Sequence, residues 1–216
     1  LLSRSELKQV TELDVSINEI ADLTGVEYFT ALQTLDCSNN KLTTIPLRTL
    51  GQLEKLNCNN NQLTTLECSA NTLLKELSCA SNQLTALELS KLTELTKLAC
   101  EGNQLTVLEL GTLTQLQTLD CSGNQLTELD VYNALLQKLD CSENALPSLF
   151  LSECSALREL DCSQNQLVEL DTTGLTLEIL ETAGNQRAIV PQPERAGAYS
   201  YDLNNLPELE QDRITG

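Results

Sequence analysis

Leucine residues recur along this chain at fixed spacings, and the whole pattern repeats every 20 to 22 residues. The pattern is clearest at 116–131, which follows the template L-x-x-L-x-C-x-x-N-x-L-x-x-L-x-L with Leu116 at position 1. Apolar residues, cysteine and asparagine each keep their own position in successive units, which chance would not produce. The period predicts a solenoid of stacked coils, in which each unit buries its apolar side against its neighbours. The asparagine of position 9 recurs at Asn18, Asn40, Asn61, Asn82, Asn103, Asn124, Asn144, Asn165 and Asn185.

Each unit contains one segment with the alternation of a β-strand. Positions 4 and 6 are apolar and positions 3 and 5 are mostly polar, so a short strand with positions 3 and 5 facing outward is predicted. The asparagine then lies in the following turn, where its amide can bond backbone groups of adjacent coils. So few residues per unit leave no room for a full helix on the return path. The predicted fold is a leucine-rich-repeat solenoid of the α/β class, mostly β. It is a right-handed superhelix with short parallel strands on the concave face and extended or 3₁₀ segments on the convex face.

The two ends of the chain depart from the template. Residues 1–9 are helical in composition, and Ser3 and Glu6 have the spacing of a capping box, so they predict the remnant of an N-terminal cap. About nine repeats fill 10–190. Residues 191–216 contain three prolines and an alternating stretch at 198–203. This segment is expected to form a strand that caps the C-terminal end or begins a following domain.

Seven of the nine cysteines occupy position 6 and should therefore stack one per strand. Parallel strands lie ~4.8 Å apart with equivalent side chains pointing the same way, whereas a disulfide needs Cβ atoms ~3.8 Å apart and converging. Cys68 and Cys154 replace core leucines of other units, and the chain has no histidine and no C-x-x-C motif for metal or redox chemistry. We predict buried, reduced thiols and neither a metal nor a cofactor. The ladder residues are Cys37, Cys58, Cys79, Cys100, Cys121, Cys141 and Cys162.

These units resemble the repeats of internalin-type proteins, in particular the branch whose 21-residue repeat has cysteine in place of a core leucine. The resemblance covers roughly 10–190 and is carried by motifs such as Leu-Asp-Cys-Ser-Asn-Asn-Lys-Leu-Thr at 35–43. It implies a bacterial cell-surface or secreted protein that binds a partner, often on a host. It does not imply which partner.

The charge of the chain narrows the choice of partners. The sequence has 31 acidic and 13 basic residues and a formal net charge of −18, which repels phosphate backbones and anionic lipid surfaces. No apolar run is long enough to span a membrane. Neither nucleic acid binding nor direct membrane insertion is expected, whereas basic protein patches or bridging cations are compatible with this charge. The alternative is that the charge only keeps a long repetitive surface soluble.

Position 5 carries carboxylates in four successive units, which predicts an acidic column on the concave face. Like charges opposite each other on neighbouring strands cost up to ~1 kcal/mol each, so water must screen the column or a partner must use it. Lys138, at position 3, is expected to neutralise part of the charge. Two interpretations remain open: a solvated scaffold face, which is favoured, and a site for a basic ligand or cation at Asp120, Asp140 and Asp161. The column consists of Asp120, Asp140, Asp161 and Glu181.

Two aromatic residues form a second candidate surface. Phe150 occupies position 15, where other units have acidic residues, and Tyr132 lies nearby in the preceding coil. An exposed aromatic pair is typical of a binding hot spot. Lateral packing of the two rings is the favoured alternative.

The chain lacks the residues that most catalytic sites require. Without histidine, a nucleophile elbow or a phosphate-binding loop, no residue has an evident catalytic base, so no enzyme is expected. The predicted function is a monomeric, extracellular, non-enzymatic binding module that presents its concave sheet to a protein or glycan, which the resemblance allows to be host-derived. The alternative is a structural spacer that holds another domain away from the cell wall. A binding module predicts non-template residues gathered on one surface, whereas a spacer predicts featureless repetition.

Overall fold

Each coil contributes one three-residue strand to a single parallel sheet. The computed structural model describes residues 3–186 and 198–200. Within these residues the strands lie in chain order without a crossover, as expected when every coil stacks on the one before it. The strands are β1 Glu12–Asp14, β2 Thr34–Asp36, β3 Lys55–Asn57, β4 Glu76–Ser78, β5 Lys97–Ala99, β6 Thr118–Asp120, β7 Lys138–Asp140, β8 Glu159–Asp161, β9 Ile179–Glu181 and β10 Ala198–Ser200.

The register of the sheet is the same from coil to coil. The leucine of position 4 always pairs with the leucine of position 4 on the next strand, from Leu13 with Leu35 to Leu160 with Leu180. In β2 to β9 this central residue is buried while positions 3 and 5 are more exposed. The structure therefore confirms a leucine-rich-repeat solenoid with short parallel strands on its concave face.

The return path of each coil consists mainly of turns and extended segments. Consecutive turns close with backbone hydrogen bonds three residues apart, as from Leu50 N to Leu47 O at 2.9 Å and from Leu53 N to Leu50 O at 3.1 Å. Among the described residues, one 3₁₀ helix is present, Val26–Tyr28 in the first repeat. The convex side is thus extended rather than helical, because 20 to 22 residues cannot hold both a strand and a full helix.

The asparagines of position 9 form a ladder that satisfies buried backbone groups. In the repeat of β4, the Oδ1 of Asn82 accepts from Leu63 N at 3.0 Å, and its Nδ2 donates to the carbonyls of Cys58 and Cys79, both at 3.1 Å. The same contacts recur at Asn124 with residues one coil earlier and in its own coil. One side chain per turn therefore joins two coils, as the sequence predicted.

The N-terminal end carries a short helix, α1 Arg4–Leu7, with the predicted capping box. Ser3 Oγ accepts from Glu6 N at 3.3 Å, and Ser3 N donates to Glu6 Oε2 at 2.7 Å. At the other end β10 continues the sheet by pairing in parallel with β9. The rest of 191–216 lies outside the described residues, so its role as a cap or as the start of a domain stays a prediction.

Candidate functional site

The structure brings the four predicted carboxylates of the concave face into one column. The sheet register places Asp120 opposite Asp140, Asp140 opposite Asp161, and Asp161 opposite Glu181. All four residues are partly exposed. We name Asp120, Asp140, Asp161 and Glu181 the acidic column.

The three aspartates of the acidic column also hold their own turns. Asp140 Oδ1 accepts from the backbone N of Ser142 at 3.1 Å and from its hydroxyl at 2.6 Å, and equivalent bonds join Asp120 to Ser122 and Asp161 to Ser163. Within the described residues these carboxylates have hydrogen bonds at Oδ1 alone, so Oδ2 remains available to a ligand. The sequence contains the signal for this contact, a repeated Asp-Cys-Ser tripeptide, but charge alone does not reveal it.

Within the acidic column, Asp140 is ionised against unfavourable surroundings. Burial raises the pKa of Asp140, and the neighbouring charges of Asp120 and Asp161 raise it further, although the bonds from Ser142 act in the opposite direction. A raised carboxyl pKa means that the ionised form is disfavoured in the folded chain. A cation or a basic side chain at this place would relieve that cost.

Lys138 does not bond to the aspartates it was expected to neutralise. Its Nζ lies 3.0 Å from Glu159 on the neighbouring strand, an ion pair within the column of position 3. The hydrogen bond and charge of Glu159 are the main reasons why the pKa of Lys138 is raised, and Asp140 and Asp120 act on it only through space. The acidic column therefore has no lysine bonded directly to it among the described residues.

Glu101 is an acidic neighbour of the column that the sequence analysis missed. It occupies position 7, where Ser122, Ser142 and other units have serine. Burial raises its pKa, with further contributions from Asp120 and Asp140, and its Oε2 is buried without a hydrogen-bond partner. The signal in the sequence is a double exchange, because the same unit has alanine at position 5 where the next three units have aspartate.

The second candidate surface lies outside the sheet, on the return path. Asp130 and Phe150 form an isolated parallel bridge between two coils, and Tyr132 lies two residues after Asp130. Tyr132 is 67% exposed and Phe150 is 69% exposed. Most of the surface of each residue is thus open to solvent, and lateral contact between the two rings stays a prediction.

The cysteine ladder is present and buried. All nine cysteines are free, and the seven at position 6 have no exposed surface. Several thiols donate to the position-5 carbonyl of the next strand, as from Cys37 to Asn57 O and from Cys162 to Glu181 O, both at 3.5 Å. Burial raises the pKa of Cys37 and of Cys162 to about 12, so reactive thiolate is scarce and the ladder is structural.

In the part of the chain that the structure describes, no group of three or more histidine, cysteine, aspartate or glutamate side chains is arranged to hold a metal ion. No helix among the described residues is long and apolar enough to cross a bilayer.

Comparison with known proteins gives the same repeats. The family model "Leucine Rich repeats (2 copies)" matches residues 30–71 and 93–134. A comparison with curated protein sequences finds no match.

The solved structures that are similar to this chain include the following three. The functional domain of InlJ from Listeria monocytogenes, which includes a cysteine ladder, is 37% identical with a TM-score of 0.71, over 85% of this chain and 46% of that one. This chain thus spans less than half of that relative. Internalin C2 from Listeria monocytogenes is 24% identical with a TM-score of 0.79 over 83% of both chains, and shows the fold alone. The ectodomain of the Arabidopsis thaliana receptor kinase GASSHO1/SCHENGEN3, in complex with CASPARIAN STRIP INTEGRITY FACTOR 2, is 26% identical with a TM-score of 0.72, over 85% of this chain and 25% of that one.

The repeats, the buried thiols and these likenesses agree with one another. The cysteine ladder of this chain has its counterpart in the structure that is 37% identical to it. The chain is an internalin-like leucine-rich-repeat solenoid with a ladder of buried cysteines, a fold typical of protein-interaction modules.

Proposed function

We propose that this chain is a non-enzymatic binding module that recognises a basic segment of a protein partner through the acidic column on β6 to β9. We further propose that it acts outside a bacterial cell, at the surface or after secretion, in adhesion or host interaction. The observation that carries the proposal is the register of four carboxylates on adjacent strands.

The fold itself does not require the charge of the acidic column. In β3 the same position carries Asn57, whose Oδ1 accepts from Asn59 N at 3.2 Å. A neutral amide therefore makes the turn contact that the aspartates make, without repelling its neighbours. Four successive carboxylates are then better explained by a ligand than by folding.

The chemistry of the column favours a cationic partner. Each aspartate keeps one carboxylate oxygen free of hydrogen bonds to the described residues, and the pKa of Asp140 is raised by burial and by its neighbours. Arginine and lysine form charge-assisted hydrogen bonds with carboxylates, and arginine can bond both oxygens at once. Carboxylates on a flat strand face, in a chain without histidine, support binding rather than catalysis.

The extracellular part of the proposal is supported by likeness. The structure of 37% identity comes from Listeria monocytogenes. The receptor ectodomain with the same kind of solenoid was solved with a bound partner. A net charge of −18 also suits a chain that meets basic surfaces by long-range attraction.

The test uses a defined basic probe and a triple variant. The probe is a fluorescein-labelled nonapeptide of alternating arginine and glycine, measured by fluorescence anisotropy at rising NaCl. The variant Asp120→Asn, Asp140→Asn, Asp161→Asn keeps the Oδ1 acceptors of the turns and should fold. We expect its Kd to be at least about tenfold weaker, and the native Kd to weaken with salt.

A matched control removes three charges that lie outside the strands and outside position 15. The variant Glu94→Gln, Glu128→Gln, Glu169→Gln changes exposed residues and should bind the probe as the native chain does. Equal losses in both variants would mean that only net charge matters and would contradict a concave site. No binding by the native chain would favour a spacer. A pull-down from epithelial surface extracts with the same variants then identifies the natural partner.

A further inference from the structure

We infer that the convex side of this chain carries a second docking surface, around Tyr132 and Phe150, for a protein segment that presents an apolar side chain flanked by arginine or lysine. We name Tyr132 and Phe150 the aromatic patch. The surface lies on the return path of the coils and does not depend on the acidic column.

The backbone presents both rings on the same outward side. Along 130–133 exposed and buried residues alternate, with Val131 and Asn133 buried, and Phe150 is exposed between two buried leucines. The bridge places Phe150 opposite Asp130, so Tyr132 is its diagonal neighbour across two coils. Large side chains reach each other at such diagonal positions. Two rings that are about two-thirds exposed therefore form one surface rather than two isolated residues.

The surface beside Tyr132 is open. The depression there measures only about 10 Å³ and is lined by core residues such as Leu113 and Val131, and a volume of this size holds about one water molecule. Gly111 stands one coil before Tyr132 at the same position 17, and a Cβ built there would meet no atom within 4 Å. An aliphatic side chain of a partner can therefore pack against the exposed ring of Tyr132 from this side without a clash.

Charge determines which partner fits the aromatic patch. Position 15 carries exposed carboxylates in the neighbouring coils, and Phe150 interrupts their row. A cationic side chain gains both from these carboxylates and from the faces of the aromatic rings. A neutral glycan gains no binding energy from these carboxylates, and an acidic glycan is repelled by them. The row consists of Glu67, Glu88, Glu109, Asp130 and Asp171.

The fold does not need either aromatic residue. Other repeats have acidic residues at position 15, and they have Ser69, Ser90 and Ser152 at the position of Tyr132. The exchanges Phe150→Glu and Tyr132→Ser therefore restore residues that the same backbone already accepts. A double variant of this kind should fold as the native chain does, which makes it a clean test.

The experiment uses three labelled heptapeptides on the full chain. The first has one leucine between two arginines in a glycine background. In the second peptide, glycine replaces the leucine. In the third peptide, glutamine replaces both arginines. By fluorescence anisotropy we expect the first to bind at least about tenfold more tightly than either of the others, since a buried anchor and its flanking charges act together.

Variants then locate this leucine-dependent binding. The double variant Tyr132→Ser, Phe150→Glu should lose it, and Gly111→Gln, which adds a side chain on the open surface one coil before Tyr132 and leaves both rings, should weaken it. The matched control is Val107→Glu, which adds the same charge at another exposed apolar residue and should bind normally. An added negative charge would by itself strengthen binding of a basic peptide. A loss of binding in the double variant therefore cannot come from the added charge.

Each remaining outcome decides against the aromatic patch. Unchanged binding by the double variant would overturn the proposal. Loss in the triple variant of the acidic column, with the double variant unaffected, would place the peptide on the concave face instead. Binding of neutral galactose or N-acetylglucosamine oligosaccharides that requires the two rings, without peptide binding, would make the surface a glycan site and would also overturn it.

Discussion

The two halves of the concave face, β2 to β5 and β6 to β9, have the same backbone and different outer surfaces. Both halves have the same strand register, the same inward leucines and cysteines, and the same asparagine bonds between coils. At position 5 the first half reads Asp36, Asn57, Ser78 and Ala99, and the second half reads Asp120, Asp140, Asp161 and Glu181.

The first half also satisfies the single carboxylate that it carries at position 5. The amide of Asn57 donates to Asp36 Oδ2 at 2.9 Å, whereas the ion pair of Lys55 with Glu76 at position 3 has a counterpart in the second half, Lys138 with Glu159. The second half leaves its aspartates without such partners on the neighbouring strands. Because the inner ladders are the same, the difference teaches that the fold is set by inward positions and that outward positions are free to serve a ligand.

The largest expected effect concerns the thiols, which should be equally unreactive in both halves. A rise in pKa from 9.0 to about 12 at Cys37 and at Cys162 lowers the thiolate fraction about a thousandfold, and burial slows access further. Titration with a chromogenic disulfide reagent should give almost no rapid reaction in the native chain and nine thiols in urea. Several rapidly reacting cysteines in the native chain, or far fewer than nine after unfolding, would contradict the reduced ladder.

The asparagine ladder should contribute equally to stability in the two halves. Asn82→Ala and Asn124→Ala each remove one acceptor and several donor contacts to buried backbone groups. We expect each to lower the free energy of unfolding by about 3 kcal/mol, because an unsatisfied buried group costs about 1–3 kcal/mol. Urea denaturation followed by circular dichroism measures both. A clear difference between the two variants would show that the halves differ inside as well as outside.

Substitutions in the turns should change the free energy of unfolding by smaller amounts, and the sign should differ between the two halves. Position 8 adopts a left-handed conformation in every coil, with Asn60 at a φ of 55° in the first half and Glu143 at 52° in the second. Asparagine tolerates this region better than glutamate. Glu143→Asn should therefore stabilise the chain, and the reciprocal Asn60→Glu should destabilise it, each by roughly 0.5–1 kcal/mol. Thermal and urea unfolding of the pair measure both signs, and a loss of stability in Glu143→Asn would mean that its side chain has another role.

The acidic column should make stability depend on pH in one direction. The pKa of Asp140 is raised in the folded chain, so its charge disfavours folding above that pKa, and the cost disappears as pH falls towards the unfolded value of 3.8. Asp140→Asn should thus raise the free energy of unfolding at neutral pH, and the gain should vanish in acid.

The mirror variant in the first half should behave in the opposite way. Asn57→Asp places a carboxylate opposite Asp36, and we expect it to lower stability at neutral pH and to recover in acid. Urea unfolding between pH 3.5 and 7 compares the two. If Asp140→Asn lowered stability at neutral pH, the carboxylate would be serving the fold rather than a ligand.

The smallest effect is expected from the surface ion pairs. Lys138 with Glu159 and Lys55 with Glu76 are pairs of half-exposed side chains in opposite halves, and exposed pairs contribute little to stability. Lys138→Ala and Lys55→Ala should both leave the urea midpoint unchanged within error. If Lys138→Ala alone altered stability or strengthened binding of the arginine–glycine probe, Lys138 would be partly neutralising the charge of the acidic column.

The sequence by itself determined the solenoid, the strand positions, the register, and the inward ladders of leucine, cysteine and asparagine. These follow from the sequence because each repeat occupies the same environment as the next, so one template predicts every coil. The acidic column follows for the same reason, since a fixed register converts spacing along the chain into neighbours across strands.

Only the tertiary structure decided which residues the outward side chains contact. Lys138 bonds to Glu159 instead of the aspartates, Glu101 keeps a buried oxygen without a partner, and Tyr132 and Phe150 are largely exposed. Long side chains have several neighbours within reach in adjacent coils, and distances and solvent access between coils select among them. The repeated template fixes the backbone position of each such side chain, and the packing of the coils decides which residue its polar end contacts.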